Sequence, residues 1–146
     1  MALHPAEEAT IRAFVTSARR DRLVALLANP KRRRKALNSL DHFHDWDPRW
    51  VQSLASGVHA VGILRAAGAP DSCHVISGDE GLDGRDMPLA DAVAAADAYD
   101  FASILCCVPG ELALFFDESA APRPVALLRR PPGAVDHFPA APIPSS

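Results

Sequence analysis

Two apolar runs, Phe101 to Val108 and Glu111 to Asp117, are separated only by Pro109-Gly110. So short a link is compatible with an antiparallel hairpin and too short for a crossover. The hairpin commits the later half of the chain to a sheet. Cys73-His74-Val75-Ile76-Ser77 is a short apolar run bounded by turn formers and predicts an earlier strand, and Val125 to Arg129 predicts a last one. Pro88 to Ala98 reads as helix, with Leu89, Val93 and Ala96 inward. Strand 73–77, helix 88–98 and strand 101–108 have the spacing of a βαβ crossover, which predicts that those two strands are parallel.

The chain before Gly68 follows a helical period. Ile11, Phe14, Val15 and Ala18 make one apolar stripe, so Pro5 to Ala28 is predicted helical with a bend near Arg20-Asp21. Glu7 and Glu8 lie near its start, where the helix dipole favours acids. Asn29-Pro30 is a cap-plus-proline boundary. A second helix is predicted from Pro30 to Asp45, with Leu37, Leu40 and Phe43 inward. Asp47-Pro48 repeats the device. A third helix follows, carrying Trp50, Val51, Leu54 and Val58, with a break at Ser56-Gly57 that starts a fourth through Val61 and Leu64. Gly68 and Pro70 mark the stop. The expected class is α+β with α/β-like character: amino-terminal helices packed on a small mixed sheet of about four strands. One globular domain is expected over 1–130, with helices in 5–68 and the sheet region in 72–130. Residues 131–146 hold 5 Pro and read as a flexible tail.

Composition narrows the classes. At 146 residues the chain can build a core without disulfides or a structural metal. No apolar run reaches 18 residues and no basic segment followed by an apolar stretch opens the chain, so neither a membrane span nor a signal peptide is expected. The 3 Cys include adjacent Cys106 and Cys107, which on a strand point to opposite faces. A reduced, cytoplasmic setting is the expectation. The net charge of −3 hides a basic first third and an acidic middle.

Four constellations could carry chemistry. Lys31-Arg32-Arg33-Arg34-Lys35 opens a helix and could bind an anion or nucleic acid. Successive helical residues turn by about 100°, so these five cannot all face one ligand, and at least one must flank the core. Asp41, His44 and Asp45 stand at i, i+3 and i+4, a usable spacing for a carboxylate–imidazole metal site. The loop Gly78 to Asp86 offers Asp79, Asp83 and Asp86 to a divalent cation, with Arg85 beside them for a phosphate. It matches neither the calcium-loop pattern nor a phosphate loop. Cys73-His74 is a poor nucleophile–base pair, because strand neighbours point apart.

No complete catalytic motif is present. The first functional expectation is therefore a small binding or interaction protein. It would use its acidic sheet region or basic helix as a docking surface, with a protein partner ranked above nucleic acid. The alternative is a metal-assisted hydrolase of a phosphate-containing substrate. A second alternative is nucleic-acid binding through 31–35.

Overall fold

In the computed structural model, residues 2–40, 44–54, 59–98, 101–117 and 125–134 are described. The elements run α1 (Pro5–Phe14), α2 (Ser17–Ala28), α3 (Pro30–Asn38), β1 (Val51–Leu54), α4 (Ala60–Ala66), β2 (Ser72–Ser77), β3 (Asp86–Pro88), α5 (Leu89–Ala98), β4 (Ser103–Val108), β5 (Leu112–Phe116) and β6 (Val125–Arg129). The six strands form one open sheet in the order β1-β6-β5-β4-β2-β3, with every neighbouring pair antiparallel. The α+β class holds. No helix among the described residues is long and apolar enough to cross a membrane.

The central strands explain their own composition. Along β4, Ile104 and Cys106 enter one core while Leu105 and Cys107 enter the other. Along β5, Ala113 and Phe115 join the first core, and Leu112, Leu114 and Phe116 the second. A strand covered on both faces reads as an unbroken apolar run, because both faces of the pleat are buried. α1, α2 and α3 cover the first face; α4 and α5 cover the second. Cys106 and Cys107 are buried free thiols on opposite faces, as the strand period requires.

The crossover is the main correction. β2 and β4 are antiparallel, pairing His74 with Cys106 and Ile76 with Ile104. The expected βαβ unit omitted β3. The chain reverses in the loop after β2 and returns along that strand as β3. α5 therefore begins beside the start of β2, where the Leu89 amide donates to the Asp71 carbonyl at 2.7 Å. The helix reverses the chain once more, and β4 enters opposite to β2.

A second correction is β1, expected to be helical. Asp47-Pro48 does cap a helix, with an Asp47 carboxylate oxygen accepting from the Arg49 amide, but it is a single 3₁₀ turn ending at Trp50. Val51 to Leu54 then pair with β6 and complete its hydrogen bonding. Val58 and the Ser56-Gly57 break lie outside the described residues. The first helix breaks at Val15-Thr16 rather than near Arg20-Asp21. Val15 is extended and bridges Trp46; the Thr16 amide donates to the Asp45 carbonyl, and the Asp47 amide to that of Phe14. α3 stops at Asn38, short of the expected Asp45.

Candidate interaction groove and a buried charge network

The run 31–35 is divided by the helix period. Arg32 and Lys35 point one way, together with Ala36 and Ser39. Facing them from α2 are Arg19, Arg22, Leu23 and Leu26, at i, i+3, i+4 and i+7. Between the helices lies an open groove of about 880 Å³, lined also by His44 and Asp45. Its rim is cationic and its floor aliphatic. Among the described lining residues Asp45 is the one acid, 3.6 Å from Arg19. Among the described residues, Arg22, Arg32 and Lys35 have no acid within ion-pair reach.

Arg33 takes the opposite direction. Its Nε and Nη2 fork onto the two Asp83 oxygens, both at 2.8 Å. Nη1 and Nη2 reach the Glu7 oxygens at 2.7 and 3.1 Å, and Nη1 also donates to the Leu27 carbonyl at 3.2 Å. All five guanidinium donors are used. These bonds hold its proton more firmly than usual; the Asp83 fork contributes most, burial opposes it, and Glu7 adds to it. Arg34 donates to the Gly78 carbonyl and lies 3.7 Å from Glu80. Lys31 is exposed at the helix start, its amide capped by Asn29.

Glu7 is only 3% exposed, although it sits in the first turn of α1. Its Oε2 also lies 2.6 Å from Nε2 of His74, and Nδ1 of His74 lies 2.8 Å from Asp86 on β3. Two ionised carboxylates can only accept, so both ring nitrogens donate and the bonded form is imidazolium. Burial pulls His74 down, but the bonds to Glu7 and Asp86 outweigh it and raise its pKa. Burial pushes Glu7 up, yet the bonds from His74 and Arg33 and their charges hold its carboxyl below the usual range. The His74 bond likewise lowers exposed Asp86. The His4 ring stacks on His74 at 3.9 Å and 15°, while its Nδ1 caps α1 through the Ala6 amide.

The acidic loop serves this network. Asp83 accepts from the Ser77 amide at 3.0 Å as well as from Arg33. The Asp79 amide donates to the Ser77 hydroxyl, and the Asp79 carbonyl starts the turn over 79–83. Asp79, Asp83 and Asp86 thus do not converge on one point, and exposed Arg85 makes a long bond to the Gly81 carbonyl at 3.4 Å. Asp41 lies outside the described residues; His44 and Asp45 border the groove off any helix. Among the described residues, one group of three potential metal donors comes within 4.8 Å: His4, His74 and Asp86. Its stacked rings send their in-plane lone pairs in parallel rather than toward one ion, and doubly protonated His74 has no lone pair to give. The thiols are held neutral. Burial, then Asp86, pushes Cys73 up to about 11, and burial foremost pushes Cys106 to about 12.

Sequence reasoning missed Glu7 and His74 as partners. Glu7 stands four residues before Ile11 on the apolar stripe, and a carboxylate there signals a buried counter-charge. No protein-family model matches the chain, and no curated protein or solved structure is significantly similar to it.

Proposed function

We propose that the protein is a binding module whose α2–α3 groove receives an acidic, amphipathic segment of a partner protein. The observation that supports this reading is the pairing of unneutralised Arg22, Arg32 and Lys35 with a floor of Leu23, Leu26 and Ala36. Exposed ion pairs contribute at most about 1 kcal/mol each. Burying one leucine-sized side chain adds about 1.5–3 kcal/mol. A ligand that supplies both carboxylates and an apolar anchor therefore gains most. A nucleic acid finds phosphate partners here, but among the described lining residues no Phe, Tyr or Trp and only the His44 ring on which to stack bases. The hydrolase reading has less support, because two of the loop carboxylates, Asp83 and Asp86, are engaged separately by Arg33 and His74.

The test uses three labelled probes: a short peptide of glutamates and leucines, one with serines for the leucines, and a single-stranded DNA of equal charge. The glutamate–leucine peptide should bind most tightly, more weakly as salt rises, and not at all to the Arg22→Glu/Arg32→Glu variant. Preference for the DNA, or no binding of any probe at low salt, overturns the reading.

A further inference from the structure

We propose that His74 is a proton-operated latch for the edge of the sheet: its imidazolium form ties β3 to β2 through Asp86, and loss of the proton loosens β3 while leaving α1 in place.

The asymmetry follows from what holds each carboxylate. Glu7 arrives from α1, is buried and is gripped by Arg33 of α3, so it cannot leave His74. Asp86 belongs to the edge strand; its side chain is 75% exposed, and no described residue but His74 bonds it. A neutral imidazole carries one N–H. The buried carboxylate has the stronger claim, because an unpaired acceptor there pays the full desolvation penalty whereas Asp86 can turn to water. The remaining proton therefore stays on Nε2 toward Glu7. Nδ1 then presents a lone pair to the Asp86 carboxylate 2.8 Å away, and the two repel.

β3 is short, held at its ends by the Val75 amide on the Arg85 carbonyl, the Gly84 amide on the Val75 carbonyl and the Leu89 amide on the Asp71 carbonyl, with Met87 against the second core. It pairs with β2 over three residues, Asp86, Met87 and Pro88, and Pro88 has no amide to donate. His74 and Asp86 are direct cross-strand partners, so the lost bond lies within that short ladder. The other groups facing His74 are accounted for. His4 stacks above it, Cys73 is its strand neighbour and Cys106 its partner on β4. Both thiols are held neutral by burial. Asp83 acts only through Arg33. The raised pKa of His74 agrees with this geometry.

The experiment follows the His74 ring signal by NMR on the full chain, together with protection of the 79–88 and α1 amides corrected for intrinsic exchange. Protection over 79–88 should fall about tenfold or more with the midpoint of the ring signal, above the ordinary 6.5, while α1 keeps its protection. In Asp86→Asn the side-chain amide can donate to neutral Nδ1, so the edge should stay protected at alkaline pH. A midpoint at or below 6.5, simultaneous loosening of α1, or an unchanged pH dependence in Asp86→Asn overturns the latch. The ring and amide titrations of the unaltered protein decide the matter even if that variant does not fold.

Discussion

Arg33 grips Glu7 from 26 residues away with both terminal nitrogens, and it is the one member of the basic run turned wholly into the fold. Removing it takes the guanidinium from Asp83 and leaves buried Glu7 with the His74 imidazolium alone. Breaking one side of a buried pair costs about 3–5 kcal/mol. Arg33→Met should therefore lose about that much in urea unfolding, and Arg33→Lys a large part of it, because an ammonium cannot reproduce two forks. Lys31→Ala should stay within about 0.5 kcal/mol of the parent. Equal losses at both positions would show that Arg33 is not the anchor.

The network also sets the pH of greatest stability. The Glu7 carboxyl is lowered from 4.5, so its contribution is present above that value and is lost as pH falls through the folded one. The His74 pKa is raised from 6.5, so its contribution is complete below 6.5 and is lost as pH rises through the folded value. The unfolding free energy should peak between 4.5 and 6.5. On the alkaline side the His74 proton accounts for a slope of at most about 1.4 kcal/mol per pH unit. His74→Gln should flatten that side by the same amount. Stability that rises steadily from pH 6 to 8 in the parent protein would contradict the assignment.

The elements that sequence reasoning found are those whose pattern is local. β4, its hairpin partner β5, β6 and α5 each carry a period that survives without knowing the neighbours. β1 and β3 do not. Val51 to Leu54 is strand because β6 needs a partner, and Asp86 to Pro88 is strand because His74 and Cys73 lie opposite. Their state is imposed by tertiary pairing, which overrides local propensity. The site divides in the same way. The helix period already required the run 31–35 to split, with one cation beside the core. That Arg33 is this residue, and that its acids come from 26 residues before and 50 after, is a fact of packing.

The hairpin turn offers a backbone test. The Glu111 amide donates to the Val108 carbonyl at 2.9 Å, and Gly110 has φ of +75°. A Cβ there would meet nothing closer than 3.9 Å, so space does not forbid a side chain. The backbone conformation does, at about 1–2 kcal/mol for an L-residue. Gly110→Ala should lower stability by about that amount, and Gly110→Asn by less, because Asn tolerates this region. No loss in Gly110→Ala would mean that the turn relaxes to another form.

The groove should show the opposite relation between stability and function. Arg19, Arg22, Arg32 and Lys35 crowd like charges around one concavity, and among the described residues Asp45 is the one acid lining it. Like charges held together oppose folding, so Arg32→Glu should leave unfolding free energy unchanged or raise it by up to about 0.5 kcal/mol. The same variant should weaken binding of the glutamate–leucine peptide at least about tenfold, and the loss should shrink as salt rises. Arg32→Gln should fall between the two in both measurements. A residue kept for folding loses stability when reversed, and a residue kept for a partner loses only the partner. Stability and binding falling together in Arg32→Glu would place this cation in the scaffold rather than in the binding surface.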